Sequence, residues 1–385
     1  MRILQIAQKP QRRGAEVFCF ELSAALRERS NTVRVVYLYR HGGDRPLPLH
    51  HDDRQLAGRE RHPLERLPGL RPSLLNAVRE QIADFAPDIV QVNGSRSVKY
   101  GTMARRLAGR DAPWRLVYRN IGDPKLWNRR RLQIALYRRL FMTQVDGVIS
   151  VSQASLDNAV DLYGFDGVPR EVIPGGIDVE QLRPRQARSD TRQQLTTPAD
   201  AVVVVAVGGI VPEKRPDRLL RAFAAARQQA GVNLVLWFVG DGVLRPEMQA
   251  LAASLGVAEA VRFAGYQEDV ASFLAAADVF ALASDTEGTP AVVLEAGYLR
   301  LPVVATAVGG IPECIKDGET GLLAAREDEA AFADHLRRLA TGAELRRTMG
   351  AAAHDWVDGR FTLDVVAQRY EAFYQRVLSE TRATP

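Results

Sequence analysis

The sequence has little of what would mark a secreted, disulfide-bonded or membrane-spanning protein. Only two of its 385 residues are cysteines, and Cys19 and Cys314 lie on predicted helices in different halves of the chain. A disulfide framework or a thiolate metal cluster is therefore not expected. No apolar run reaches the ~18 residues that a transmembrane helix needs. The N-terminus begins a strand directly and lacks an apolar segment of signal-peptide length. These absences predict a protein of the reducing cytoplasm.

Two further absences narrow the chemistry. The chain has six histidines, and His50, His51 and His62 lack the spacing to nearby carboxylates that a metal site needs. We interpret them as surface residues and predict no metal. A full G-x-G-x-x-G motif after a first strand is also missing, which argues against an NAD-dependent dehydrogenase.

Charge is divided unevenly along the chain. Residues 1–185 hold 31 of the 51 Lys and Arg and 20 of the 46 Asp and Glu, a net charge of +11. Residues 186–385 hold the remaining 20 and 26, a net charge of −6. The basic half either meets an anionic surface or acceptor, or is a solvated Arg-rich face. A membrane-binding or nucleic-acid-binding module is the non-enzymatic alternative that this charge leaves open.

Strand-length apolar segments alternate with helical patterns in both halves. This alternation predicts an α/β protein with two doubly wound, Rossmann-like domains, and 385 residues suffice for two cores. The predicted domains are residues 1–183, completed by a long amphipathic helix within 361–385, and residues 198–360. The polar stretch 182–200 is the predicted linker. Residues 41–73 show no periodic pattern of apolar residues. They predict a long loop on the cleft side of the first domain, where an acceptor could bind.

The most informative stretch is residues 284–297, which follows a buried strand at 278–283. Thr289 is a good N-cap and Pro290 suits the first helical position, so a helix is predicted to begin at about Thr289. Its N-terminus would suit a diphosphate. Glu287 in the loop and Glu295 in the helix could bind hydroxyls on either side of that anion. A sugar nucleotide has this layout of sugar, diphosphate and ribose.

Glu287 and Glu295, with seven residues between them, are followed by a Gly-Gly-Ile-Pro-Glu segment at 309–313 and a Gly-Glu-Thr-Gly segment at 318–321. In this order the motifs resemble the C-terminal half of retaining glycosyltransferases of family 4, which have the GT-B fold. The resemblance implies two domains facing across a cleft and a C-terminal helix that crosses back to the first. It implies transfer from a nucleotide-diphosphate sugar, with UDP the family-level expectation, to a glycan, lipid-linked or small-molecule acceptor. It implies no cofactor, no metal and no nucleic-acid partner.

The resemblance also implies roles for individual residues. Those near the reaction are Glu287, which would hold sugar hydroxyls, Lys214, which would neutralise the diphosphate, and Asn120. The predicted donor-binding residues are Gly14, Gly209, Arg215, Gly240, Tyr266, Gly288, Thr289 and Glu295, the last of which would hold the ribose. The predicted acceptor-side residues are Arg12, Arg13, Asn93 and Arg119.

The chain departs from the family pattern at three of these positions. Asn93 and Asn120 stand where the family commonly has histidines, and an amide cannot take a proton at neutral pH. The implied mechanism is therefore front-side transfer, in which the leaving phosphate oxygen accepts the acceptor's proton. Gly209 stands where the family has an arginine, five residues before Lys214. Arg215 is the predicted replacement for that cation.

Other interpretations stay open. A sugar-nucleotide epimerase on the same fold would need acid and base residues, and Asn120 offers none. A phosphorylase would usually bind a pyridoxal cofactor. The helical stretch 125–142 carries five arginines at 129–131, 138 and 139 among apolar residues. It either docks on the protein or lies on the inner face of an anionic membrane.

Overall fold

The computed structural model describes residues 1–41, 46–57, 70–109, 111–122, 124–127 and 131–380. His62, Arg129, Arg130 and parts of the predicted loop 41–73 lie outside the described residues. The chain divides into two compact units. The first comprises Met1–Gly176 together with the residues from Leu363 onward, and the second comprises Ile177–Thr362.

The first unit contains a seven-stranded parallel sheet of order β3-β2-β1-β4-β5-β6-β7. Its strands are β1 (Arg2–Ala7), β2 (Thr32–Tyr39), β3 (Arg54–Ala57), β4 (Ile89–Asn93), β5 (Arg115–Asn120), β6 (Gly147–Ser150) and β7 (Arg170–Val172). Its helices are α1 (Gly14–Glu28), α2 (Pro72–Phe85), α3 (Gly94–Ala108), α4 (Pro124–Trp127), α5 (Arg131–Leu140), α6 (Gln153–Tyr163) and the C-terminal α15 (Leu363–Ser379).

The second unit contains a six-stranded parallel sheet of order β10-β9-β8-β11-β12-β13. Its strands are β8 (Val202–Val207), β9 (Leu234–Val239), β10 (Val261–Gly265), β11 (Val279–Leu282), β12 (Val303–Thr306) and β13 (Gly321–Ala324). Its helices are α7 (Arg188–Gln194), α8 (Pro216–Ala230), α9 (Arg245–Ser254), α10 (Val270–Ala276), α11 (Ala291–Tyr298), α12 (Ile311–Cys314), α13 (Glu329–Thr341) and α14 (Ala343–Phe361).

Both sheets are doubly wound, as the alternating pattern predicted. Strands such as β9 and β11 are buried along their whole length, because a parallel sheet covered by helices on both faces needs continuous apolar runs. The strand order reverses between β1 and β4 in the first unit and between β8 and β11 in the second. Ligands of such sheets bind at the carboxyl ends of the strands beside this switch point.

The predicted linker is a folded part of the second unit. Residues 188–194 form α7, and Arg192 on this helix is buried. Its guanidinium contacts an oxygen of Asp278 at 2.7 Å and the carbonyl of Ala201 at 3.0 Å. Polar composition concealed this helix because guanidinium contacts, and not an apolar stripe, anchor it. The predicted loop 41–73 similarly contains the short strand β3 beside β2.

The C-terminal helix α15 packs on the first unit, which confirms the predicted return of the chain. Val366, Phe373 and Val377 are buried with residues of α1 and the sheet. The hydroxyl of Tyr374 donates to Oε1 of Gln91 on β4 at 2.7 Å. Both side chains are fully buried, so this hydrogen bond joins α15 to the centre of the sheet.

We expect Tyr374→Phe to lower the free energy of unfolding by about 1–3 kcal/mol, because the buried Gln91 carbonyl would lose its hydroxyl partner. Denaturant unfolding without ligand measures this change. The matched control is Tyr266→Phe, whose ring is 67% exposed and whose change should stay within about 0.5 kcal/mol. Equal stability of the two variants would contradict the anchoring role of Tyr374.

Candidate active site

The loops after β8 and β11 meet at the switch point of the second unit. Lys214 follows β8, and its Nζ lies 2.6 Å from Oε1 of Glu287, which follows β11. The hydroxyl of Ser284 donates to the same oxygen at 2.6 Å. The Lys214 side chain is 30% exposed and that of Glu287 only 9%. Two predicted site residues, 73 positions apart, thus form a partly buried ion pair.

Only one carboxylate oxygen of Glu287 is used by this arrangement. Both contacts go to Oε1, and Oε2 makes no hydrogen bond within the described part of the chain. Lys214 presents three N–H donors, so one contact with Glu287 leaves others for a second anion. The pair can therefore hold a ligand without being broken.

The Glu287 loop rests on the glycine loop after β12. Gly310 N–H donates to the carbonyl of Gly288 at 2.9 Å. Gly309 has φ +56°, and a Cβ there would lie 1.8 Å from the Glu287 carbonyl oxygen. Gly309 is required because a side chain there would clash with the Glu287 backbone that it supports. From the sequence alone, these glycines are compatible with close approach of a ligand or with a tight turn.

The helix that carries Glu295 begins later than predicted. α11 starts at Ala291, and Pro290 is its N-cap with extended backbone angles. Thr289 as the N-cap was wrong, because Pro290 has an extended ψ of 106° and is itself the N-cap, so the first helical residue is Ala291. Glu295 is the fifth residue of α11.

Glu295 is half-buried and its side chain has no hydrogen-bond partner among the residues that the structure describes. Burial raises the pKa of this carboxyl to about 7. A carboxylate in this place needs donors from outside the protein, since burial without partners is costly.

Arg215, the predicted replacement cation, is already engaged by carboxylates. Its Nε lies 3.0 Å from Asp217, its second nitrogen 3.1 Å from the same carboxylate, and a third 3.4 Å from Asp285. Burial alone would raise the pKa of Asp217, but the guanidinium contacts of Arg215 and Arg221 lower it to about 2. Arg215 therefore fixes the loop that carries Lys214, and its position does not support a role as diphosphate ligand.

Asp285 collects further cations at the same place. Arg218, almost fully buried, contacts Asp285 at 2.9 Å and the carbonyl of Ala283 at 2.8 Å. Arg326 contacts the same carboxylate at 3.2 Å. These contacts join α8 and the segment after β13 to the loop that precedes Glu287.

The loops after β9 and β10 form a neighbouring surface. Gly240 has φ +133°, and a Cβ there would lie 2.1 Å from the carbonyl oxygen of Gly208. Its N–H donates to the carbonyl of Gly265 at 2.8 Å. Tyr266 follows directly and is 67% exposed. An exposed aromatic ring beside packed backbone suits the stacking of a base.

Family models match almost the whole of both units. The model "Glycosyltransferase Family 4" matches residues 12–181, and "Glycosyl transferases group 1" matches residues 187–356. The chain belongs to glycosyltransferase family 4. The resemblance drawn from Glu287, Glu295 and the later glycine motifs is thereby confirmed.

Relatives of known name cover part of the chain. A D-inositol 3-phosphate glycosyltransferase of Streptomyces avermitilis is 37% identical over 218 residues, which is 54% of this chain and 47% of that protein. The lipopolysaccharide core biosynthesis glycosyltransferase LpsE of Rhizobium meliloti is 37% identical over 179 residues, 46% of this chain and 51% of LpsE. The chain thus spans about half the length of these relatives.

The fold is shared over nearly the full length with solved structures. Anabaena HepE in complex with UDP superposes with a TM-score of 0.80 at 22% identity, covering 98% of this chain and 100% of HepE. HepE in complex with UDP-glucose gives 0.75 over the same shares, again at 22% identity. This family 4 protein accordingly has the GT-B fold that its motifs implied.

In the first unit of this family 4 protein, a cavity of about 310 Å³ lies at the carboxyl ends of β1, β4 and β5. Asn93 and Asn120 both line it. The Asn120 amide donates to Oγ of Ser150 at 3.2 Å and to the carbonyl of Ser155 at 3.0 Å, while its oxygen accepts from Tyr118 at 3.2 Å. Most of the hydrogen bonds that the Asn120 side chain can make are therefore made within the protein.

Asn93 is similarly occupied. Its amide nitrogen donates to Oε1 of Gln5 at 3.2 Å and to the carbonyl of Ile6 at 3.3 Å. Its oxygen accepts from Gln91 at 3.2 Å. At the two positions where the family commonly has histidines, the cavity wall is thus a network of neutral amides.

The remaining acceptor-side residues fall into two groups. Gly14 begins α1, and Arg12 and Arg13 are exposed just before it, at the carboxyl end of β1. Arg119 is elsewhere: it is buried, its guanidinium lies 4.2 Å from the Phe18 ring centre, and its Nε donates to Tyr370 at 3.1 Å. Its place beneath α1 and α15 gives no support to acceptor contact, because successive residues of a strand face opposite sides.

Sequence reasoning missed Glu16, which lines the same cavity and is buried. Gln11 donates to its Oε1 at 2.9 Å. Burial raises the pKa of Glu16, against the opposing effect of this hydrogen bond and of nearby Arg13. An acidic residue in the first turn of a predicted helix, directly after a strand, was the signal available.

The basic helix is only partly described. In α5, Leu132 is 82% exposed and Tyr137 is buried, so the helix docks through one side and leaves Leu132, Arg138 and Arg139 outside. Both earlier interpretations of this region stay open, and membrane contact stays a prediction. Across the described ranges, no helix has the length and hydropathy needed to cross a membrane.

Two minor predictions can be compared with the structure. Cys19 and Cys314 are both buried and neither forms a disulfide. Within the described ranges, His50, His51 and Asp52 bring potential ligand atoms close together. His51 is exposed and pairs with Asp52 at 3.2 Å, an arrangement that a surface ion pair accounts for.

The raised pKa of Glu295 predicts a pH-dependent effect of Glu295→Gln on stability. Well below pH 4.5 the carboxyl is protonated in the folded and unfolded states alike, so the difference in stability between the two proteins should not depend on pH there. Above pH 7 the folded native protein must bury a carboxylate, whereas glutamine stays neutral. The free-energy advantage of Glu295→Gln should therefore grow as pH rises from about 5 to 8, reaching about 1–3 kcal/mol. Denaturant unfolding without ligand at both pH values measures it; a constant difference would contradict the assignment.

Proposed function

We propose that this protein is a retaining, metal-independent glycosyltransferase. It moves a sugar from a nucleotide-diphosphate sugar, with UDP as the first candidate nucleotide, to a hydroxyl of a glycan, lipid-linked or small-molecule acceptor. The observation that carries this proposal is the Lys214–Glu287 ion pair at the switch point, next to α11. On α11, the Glu295 carboxyl has no hydrogen-bond partner within the described part of the chain.

Each part of the donor has a matching group in the second unit. Lys214 and the N-terminus of α11 stabilise the diphosphate. Oε2 of Glu287 accepts hydroxyls of the sugar, and Glu295 accepts those of the ribose. Tyr266 stacks on the base. The complexes of HepE with UDP and UDP-glucose support uracil as the base to test first.

The proposed reaction breaks the bond between the sugar C1 and the diphosphate oxygen. A bond between C1 and the acceptor oxygen forms on the same face, and the acceptor's proton passes to the departing phosphate oxygen. Lys214 stabilises the negative charge that develops on that oxygen. The occupied amides of Asn93 and Asn120 favour this route, since neither can act as a base.

The acceptor would lie at the cavity of the first unit, where hydroxyls can find Glu16 and the exposed arginines Arg12 and Arg13. The relatives' names refer to inositol 3-phosphate and to the lipopolysaccharide core, both rich in hydroxyl groups. We therefore propose a polyhydroxylated acceptor.

Thermal unfolding with UDP-, GDP- and ADP-sugars tests the donor class. A ligand that binds the folded state stabilises it by about 2.7 kcal/mol at one hundred times its Kd. We expect UDP-glucose to raise the Tm by several degrees and free glucose at equal concentration to leave it unchanged. Failure of all three nucleotide sugars to shift the Tm would refute the proposal.

Lys214→Ala should reduce turnover about 10²-fold or more, because the developing phosphate charge loses its cation. The measurement is release of the nucleoside diphosphate from whichever sugar nucleotide gives the largest Tm shift. Lys316→Ala is the control, since Lys316 is a more exposed lysine of the same unit that pairs with nearby Glu319. Near-normal turnover of a folded Lys214→Ala variant would rule out this role.

A further inference from the structure

The proposed donor carries two negative charges on its diphosphate, and the site described so far offers one cation for them. Lys214 supplies a single ammonium, and Gly209, exposed at the end of β8, supplies nothing beyond backbone. A partly desolvated anion needs compensating donors for each charge. The following inference rests on the proposed function and asks which group supplies the second cation.

Few cations lie between a strand of the second unit and the first residue of the helix that follows it. These are Lys214 and Arg215 after β8, Arg245 at the start of α9 and Arg326 after β13. Arg215 and Arg326 both pair with Asp285, and Arg215 is also held by two contacts with Asp217. Arg245 remains.

Arg245 makes two polar contacts, and its guanidinium also lies 5.9 Å from the Phe263 ring centre. One guanidinium nitrogen lies 3.2 Å from Oδ2 of Asp241, and another is 3.4 Å from the carbonyl of Phe263. The Arg245 side chain is 32% exposed and that of Asp241 53%. Exposed pairs four residues apart contribute little stability. Asp241 also accepts from the N–H of Gly242 at 2.8 Å, so its carboxylate stays hydrogen-bonded if Arg245 turns away.

The Arg245 segment is joined to the Gly209 segment by backbone hydrogen bonds. Ile210 N–H donates to the carbonyl of Asp241 at 3.0 Å, and Leu244 N–H donates to the carbonyl of Ile210 at 3.1 Å. A Cβ on Gly209 would lie 3.8 Å from the Asp241 carbonyl oxygen. Arg245 thus directly follows Leu244, which is hydrogen-bonded to Ile210, the residue after Gly209.

We propose that Arg245 supplies the second cation for the donor diphosphate, from the segment after β9. Its guanidinium leaves Asp241 for the phosphate oxygens when the nucleotide binds. An arginine introduced by Gly209→Arg could place the same positive charge beside the diphosphate. A Cβ on Gly209 would make only ordinary contacts with Val211 at 3.5 Å, in contrast to Gly240, where it would clash with backbone.

The test compares affinities for UDP and for uridine, which lacks the phosphates. Arg245→Ala should weaken UDP binding about tenfold or more and leave uridine binding within about twofold, because charge-assisted contacts to phosphate are lost. The double variant Gly209→Arg/Arg245→Ala should recover most of the UDP affinity. Arg337→Ala removes an exposed arginine paired with nearby Asp334 and is the control for loss of a surface charge.

Three results would overturn the inference. UDP affinity of Arg245→Ala equal to that of Arg337→Ala would show that Arg245 does not reach the phosphates. An equal loss for UDP and uridine would place its effect on the base or on folding. Failure of Gly209→Arg to restore UDP binding would show that the two positions do not serve the same anion.

The same measurements separate this inference from the proposed function. If the unaltered protein binds none of UDP, GDP and ADP, both are overturned. If it binds one of them and Arg245→Ala binds it equally well, only the role of Arg245 falls.

Discussion

The ion pair between Lys214 and Glu287 is the interaction on which the second unit's edge depends. Both groups are largely withdrawn from water, and each would be costly to bury alone. Their meeting requires β8 and β11 to be neighbours, which the switch in strand order provides. It also requires both loops to be fixed. The Asp285 cluster holds the Lys214 side, and the close approach of Gly309 holds the Glu287 side.

This arrangement explains why so many charged residues surround so small an area. Arg215, Arg218 and Arg326 all contact Asp285. Guanidinium groups that are paired in this way are less available to bind phosphate. Their task is to fix the backbone on either side of the site. A lysine whose partner takes only one of its three donors can then meet an incoming anion without rearranging the loop. Rigid support and unused hydrogen-bonding capacity are what a preorganised site needs.

The sequence predicted the parts of the fold that local patterns encode. The strand predicted at 278–283 and the helix predicted from about Thr289 lie within two residues of the observed β11 and of the start of α11. Buried parallel strands are continuous apolar runs, so they can be recognised from the sequence alone. α7 and β3 were missed because guanidinium contacts and edge pairing hold them, and neither leaves a periodic trace.

The site was legible to the same extent. The family resemblance implied that Lys214 and Glu287 both lie near the donor, and the structure brings their side chains together. The engagement of Arg215 by Asp217 and Asp285 could not be predicted, since the second contact spans 70 positions. Arg119 shows the limit of reasoning from strand ends: it adjoins Asn120 in sequence, yet strand alternation directs it beneath α15, towards Tyr370. Knowing which residues end a strand does not determine which face they occupy.

The two switch points differ in the charge of the side chains around them, and this difference affects which ligands each can bind. The second unit uses a cation paired with a carboxylate, whereas the first uses neutral amides around Asn93 and Asn120. Yet each edge also has a carboxyl with a raised pKa and no ion-pair contact among the described residues, Glu295 and Glu16. A cation beside either would occupy the carboxylate and compete with any hydroxyl. Arg13 lies near Glu16 without an ion-pair contact to its carboxyl, and burial with no cation in direct contact leaves carboxylate oxygens for neutral donors. Such donors are what the proposed hydroxyl ligands would supply.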